Sequence, residues 1–178
     1  MTTATDPLAS TIHEIKGQRT WLDYGLPDLR TLPRDMRILA TEEIMPAASY
    51  EAAIAIVALH LGFTAADACV LKVDSPIGEV LIERQNLGHI VEKRQDARER
   101  YVMMAMDTLT GPFEIWRVAF SDHRYRLAFI GSYESRRQML VSVALVNGRT
   151  LWNFMHTDAK SLNKHRHGEL LYKRYELL

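Results

Sequence analysis

Residues 113–155 read FEIWRVAFSDHRYRLAFIGSYESRRQMLVSVALVNGRTLWNFM, and here the apolar period falls from about 3.6 residues to about 2. Phe113, Ile115 and Arg117 alternate with Glu114, Trp116 and Val118; Tyr125, Leu127 and Phe129 alternate with Arg126, Ala128 and Ile130. Such alternation sends successive side chains to opposite faces of a pleated strand. Met139 to Val146 forms a buried-looking apolar run, and Leu151 to Met155 follows it after Asn147-Gly148, a preferred dipeptide for a tight hairpin. Four strands joined by short connections predict an antiparallel meander.

Upstream, Leu87, Ile90 and Val91 share one helical face, and Tyr101, Val102, Met104, Ala105 and Leu109 continue that pattern until Gly111-Pro112 ends it. Before this unit, two short apolar runs, 68–73 and 79–82, flank the turn-rich Asp74-Ser75-Pro76-Ile77-Gly78 and predict a hairpin. Ala52 to Leu61 is almost continuously apolar, and Pro46 and Gly62 are start and stop signals for a buried helix over about 47–61. Pro27, Pro33 and Pro46 break the segment before it into short turns, residues 1–10 read as a frayed tail, and residues 159–175 form a basic tail interrupted by Gly168. The expected architecture is α+β. Residues 71–178 form a body of two helices followed by a four-stranded antiparallel sheet, preceded by a mainly helical acidic extension over residues 1–70.

Composition narrows the class. The 178 residues are 47% hydrophobic and 25% charged, as in a globular protein. No apolar run is long enough for a membrane span, and the N-terminus lacks the basic and apolar regions of a secretory signal. Cys69 is alone, so a CxxC redox pair or a cysteine-based zinc site is excluded. Formal net charge is zero, but it is unevenly spread. Residues 1–70 carry five Lys+Arg against nine Asp+Glu, a balance of −4, and residues 71–178 carry seventeen against thirteen, a balance of +4. A basic body with most of the histidines fits an anionic partner, and the acidic head fits a docking element or a built-in cover for a basic groove.

The candidate chemistry lies in two basic segments. In a continuous helix over 87–101, His89, Lys93, Asp96 and Arg100 would share one stripe; the plainer reading is a solvated face of acid and base pairs. Lys164, His165, Arg166 and His167 form the second segment, with Asn153 and His156 on the strand before it. Together they could frame a phosphate. Histidine titrates near neutrality and can serve as base or acid, while arginine binds two phosphate oxygens at once. No HExxH, GxGxxG or GxxxxGK[ST] motif is present. His165 and His167 would diverge on a helix, so neither a metal nor a cofactor is expected. Trp116, Trp152 and Phe154 read first as core; any of them exposed could stack a base.

The blocks HIVEKRQDARERY (89–101), DTLTGPFEIW (107–116) and LWNFMHTDAKSLNKHRHGELLY (151–172) resemble, in order, the phage-type nuclease domain of the barnase/EndoU/colicin/RelE-like superfamily. That domain is found in toxin regions attached to head-morphogenesis proteins of Mu-like phages. The resemblance runs from about Pro76 to Tyr172 and leaves residues 1–70 outside. It implies a metal-independent endoribonuclease that cleaves RNA, with tRNA among the candidate substrates, by transesterification at the 2′-hydroxyl. It also implies a toxin-like setting with an immunity protein as partner, action in the cytoplasm, and delivery by phage or a secretion system. The large phage head domain is not represented, so a free-standing module is expected. Carried over residue by residue, the catalytic set is His89, Lys93, Arg94, Arg98, Asn153 and Arg166, with Arg100, His156, Lys164 and Tyr172 as substrate contacts. The competing expectation is a non-catalytic RNA- or protein-binding module of a phage or mobile element that keeps the same fold.

Overall fold

A computed structural model describes residues 11–176; the expected tail over residues 1–10 lies outside them. Four helices run Tyr50–Leu61 (α1), Leu87–Val91 (α2), Val102–Thr110 (α3) and Ala159–Asn163 (α4). Seven strands run Val70–Ser75 (β1), Gly78–Glu83 (β2), Glu114–Ala119 (β3), Tyr125–Gly131 (β4), Gln138–Leu145 (β5), Arg149–Thr157 (β6) and Glu169–Lys173 (β7). They make one mixed sheet in the order β1-β2-β6-β5-β4-β3-β7. The fold is α+β, as expected, but the sheet has seven strands rather than four. The meander β3 to β6 is its antiparallel centre. The 70–83 hairpin joins it through one parallel pairing, Leu81 with Thr150, and β7 adds antiparallel to β3. The last strand follows from Gly168, whose φ of 101° turns the chain back at the Arg117 carbonyl, where a Cβ would clash.

Helix α1 begins at Tyr50, four residues after Pro46, because Ser49 caps it: its Oγ accepts the Ala52 N–H at 3.1 Å. Gly62 closes it in the left-handed region. Among the described residues no helix is long and apolar enough to cross a membrane.

Strict alternation sorts the sheet into two faces. Ile115, Leu127, Phe129, Val141, Val143, Leu151 and Phe154 pack against α1, α2 and α3. Trp116, Val118, Ala128, Ile130 and Leu140 pack on the other side against Leu26, Leu29, Leu32 and Leu162. The N-terminal segment therefore covers part of the second face. Gln18 clamps it there, donating to the Ala119 carbonyl at 3.0 Å and accepting the Ala119 N–H at 2.9 Å.

Beneath this cover lies an ion pair with both side chains fully buried. Arg166 Nε and Nη2 donate to the two carboxylate oxygens of Glu114 at 2.5 and 2.9 Å. Trp116 Nε1 and Tyr175 Oη donate to the same carboxylate, and Arg166 Nη1 donates to the Pro27 carbonyl and to Asn163 Oδ1. Four of the five guanidinium N–H groups are used and the side chain is fully buried, so the guanidinium presents no open side to a substrate phosphate. Arg166 is a structural residue in this geometry, contrary to the catalytic role expected from its position. Removing one partner of such a pair strands the other charge. Glu114→Ala is expected to destabilise the fold by about 3–5 kcal/mol, read as a lowered urea midpoint, and Glu114→Met with Arg166→Met should cost less than Glu114→Ala alone.

Candidate active site

Residues 87–101 do not form the continuous helix that the apolar spacing suggests. The chain leaves α2 at Glu92, makes a 3-10 turn over Arg94–Asp96, passes through Ala97 at φ 43°, and makes a second 3-10 turn over Arg98–Tyr101. The stripe of His89, Lys93, Asp96 and Arg100 is thus broken. The cause is a second ion pair. Arg94 donates from Nη1 and Nη2 to the two oxygens of the fully buried Glu99 at 2.8 and 2.7 Å, and to the Ala47 carbonyl at 3.2 Å; Ala47 N–H donates to Glu99. The Arg94 guanidinium holds the Glu99 carboxyl down at about 2. Arg94 is consumed in pinning this segment, and Arg100 pairs with Glu43 at 2.7 Å.

The remaining members gather along β6. Past Thr150 that strand loses its pairing to β2, and its edge is met instead by residues 87–101. Arg98, nearly buried, donates to Asn153 Oδ1 at 2.8 Å and pairs with Asp96. A bulge in the β5–β6 ladder leaves Trp152 without a partner and turns it outward, 37% exposed. His89 lies against its indole with centroids 4.8 Å apart and pairs with Glu92 at 3.2 Å. His156 stacks on Tyr101, 4.1 Å away, on the helix side of the sheet. Of the expected set, the structure brings together His89, Arg98, Asn153 and His156. Lys93 and Lys164 are exposed, with Lys164 at the end of α4, and Tyr172 packs with the helix-side core.

Asn153 also opens onto the other face. There, beyond the N-terminal cover, a cleft of about 270 Å³ is lined by Glu14, Phe120, Arg126, Leu140, Ser142, Trp152, Asn153, Phe154, Met155 and His165. Neighbouring strands place its polar groups: Ser142 lies opposite Asn153 on β6 and Ala128 on β4. Arg126 is held with its guanidinium over the Phe120 ring at 4.5 Å. Glu14 arrives on the N-terminal segment, which pairs with Phe120 beyond the end of β7, and His165 arrives on the turn after α4. Glu14, Arg126 and Ser142 were not in the expected site, and His165 was expected only as a member of the second basic segment, outside the catalytic set. The one local signal is Arg126, a cation at a position whose parity puts it among Ala128 and Ile130.

The electrostatics of this cleft are set by three groups. Burial keeps the His165 imidazole below its ordinary value, with the Glu14 charge pulling the other way. His167 Nε2 pairs with Glu14 at 2.6 Å; that bond raises His167 and lowers Glu14. At neutral pH the cleft therefore offers a neutral imidazole, a carboxylate tied from behind, and a guanidinium. That set can accept a proton and stabilise an anion.

The tie has a pH signature. The lowered Glu14 contributes stability present above about pH 4.5 and lost as pH falls through its depressed value; the raised His167 contributes stability present below about pH 6.5 and lost as pH rises through its elevated value. The urea-unfolding difference between wild type and Glu14→Gln should therefore peak at about pH 5–6 and shrink on both sides. A difference that does not vary with pH would mean that the pair carries no linkage.

Neither the curated proteins nor the solved structures contain a match to this chain. Residues 62–173, from the end of α1 to the end of β7, match the family described as phage-Barnase-EndoU-ColicinE5/D-RelE like nuclease2. That segment is more than half of the chain and contains the whole central sheet together with Arg126, Ser142, Asn153 and His165, and on it the chain belongs to this phage-type nuclease family.

Proposed function

We propose that the chain is a metal-independent endoribonuclease that cleaves in the cleft on the sheet face opposite α1 to α3. The observation that carries this reading is the placing of His165, neutral by burial, in the same cleft as Arg126 and beside Asn153, which is fixed by Arg98. His165 takes the proton of the ribose 2′-hydroxyl, and the 2′-oxygen attacks the adjacent phosphorus. Arg126 stabilises the charge gathered on the phosphorane and on the departing 5′-oxygen, which takes a proton from a solvent water at the open mouth of the cleft, while His165 returns its proton to solvent. Ser142 and Asn153 hold the phosphate and sugar by hydrogen bonds. Trp152, turned outward by its bulge, offers a face on which a neighbouring base stacks, a contact worth about 1–3 kcal/mol per base. His89 supports that indole in this reading. The products are a 2′,3′-cyclic phosphate and a free 5′-hydroxyl.

The family's phage association extends this reading to a toxin-like role with an immunity protein as partner. A binding module without catalysis is the second reading. It is favoured by Glu14, whose carboxylate stands near Arg126 and His165 and opposes the extra negative charge that a phosphorane would gather there.

The test is incubation of the purified protein with total RNA and with tRNA in EDTA, analysing product ends, for wild type, His165→Ala and His89→Ala. General-base loss costs roughly 10²–10⁴ in rate, so His165→Ala should leave almost no cyclic-phosphate ends while keeping the wild-type melting curve, and His89→Ala should retain most of the activity. Loss confined to His89→Ala would move the chemistry to the β6 edge. RNA left whole by the wild type, but bound, would support the binding module.

A further inference from the structure

Four of the five buried side-chain polar atoms that lack a hydrogen-bond partner among the described residues are Arg37 Nε, Thr41 Oγ1, Arg100 Nε and His156 Nδ1. Arg37 sits apart, its Nη2 donating to the carbonyl of Leu29 on the second face; the other three belong to neighbouring elements. The segment 37–44 starts beside Tyr133, bridged by Ile38, and ends where Ile44 N–H donates to the Arg100 carbonyl at 2.9 Å. Arg100 and His156 converge on one ring: the Arg100 guanidinium carbon lies 5.6 Å from the Tyr101 centroid and the His156 ring lies 4.1 Å from it. Unpartnered buried donors are costly and uncommon. Such a group of them, on adjoining elements and with cations nearby, has the chemistry of a site for an oxyanion.

The charges around it point the same way. Burial first, and then the charges of Arg137, Arg98 and Arg100 against Asp96 alone, depress the His156 imidazole. Glu43 neutralises one arm of Arg100 through Nη2 and leaves Nε unused. Nothing here belongs to the cleft. His156 has the parity of Phe154, on the helix side, and none of these four residues lines the cleft.

We propose that the end of β6, between the 37–44 segment and Tyr101, is a phosphate-binding site separate from the cleft, built from Thr41, Arg100 and His156 with Arg137 at its rim. Its ligand is a phosphodiester of the RNA strand that passes over the β6 edge towards Trp152. The identity of the strand rests on the ribonuclease reading; the oxyanion site does not.

Two measurements test it separately. In the first, His156 ring resonances of the full chain are followed by NMR during titration with inorganic phosphate, with sodium chloride of matched ionic strength as control. Saturable shifts and a rise of the His156 pKa, both absent in Arg100→Gln, are expected. In the second, a 2′-O-methyl oligonucleotide that cannot be cleaved is bound to wild type, Arg100→Gln and Thr41→Val. Losing a charged hydrogen bond should weaken binding by about tenfold in Arg100→Gln, with the salt slope reduced by about 1, and by less in Thr41→Val. Phosphate shifts without any change in oligonucleotide affinity would confine the site to free phosphate and overturn the RNA assignment. Ring resonances that phosphate leaves unmoved would overturn the site itself. RNA that is never cleaved, alongside an intact phosphate titration, would remove the ribonuclease reading and leave the oxyanion site standing.

Discussion

The carboxylate of Glu114 accepts from Arg166, Trp116 and Tyr175, and this one buried acceptor organises the second face of the sheet. A charge taken out of water must be matched by geometry. Matching it draws the turn after α4 down onto β3 and fixes Asn163. Through Asn163 and the Pro27 carbonyl it also locks residues 26–32 over the sheet. His165 and His167 flank Arg166 in the chain, so the pair that holds the core also sets where the imidazoles stand. Glu14 and Gln18 then fasten the N-terminal segment at the end of β3.

The same economy appears at the other side of β6. Arg94 and Glu99 bend residues 92–101 away from a helix, and the bend delivers Arg98 to Asn153 and Tyr101 to His156. Two of the cations that look available in the sequence are thus spent on shape. Arg126 in the cleft and the arginines around His156 are the cations that the fold gathers beside buried polar groups.

The central meander was readable because each strand carries strict alternation and because Asn147 and Gly148 both take positive φ, as the hairpin requires. Helix α1 was readable from its apolar run and Gly62. The β1–β2 hairpin was readable too, but not its joining to the sheet, because β2 meets β6 at a single residue pair, and β7, half exposed and charged, carries no periodic signature of its neighbour. The break in 87–101 depends on Glu99 finding Arg94 and the Ala47 N–H, and the latter is a long-range contact that local spacing does not encode. The expected site included Asn153 and Arg98, which do meet. It omitted Glu14 and kept His165 out of the catalytic set; the neighbourhood of these two is created by a chain that returns to β3 from both ends.

That return has a consequence for the order of assembly. Glu114 and the helix-side core can form from residues 50–154, where most contacts are between neighbours in sequence, but the second face stays open until residues 158–175 swing back across β3. Closing contacts of such long separation is slow relative to hairpins and helices. The cleft is therefore the last feature to exist, and a chain caught before that step would hold a nearly complete sheet with Glu114 unpaired, Trp116 wet and the cleft unformed.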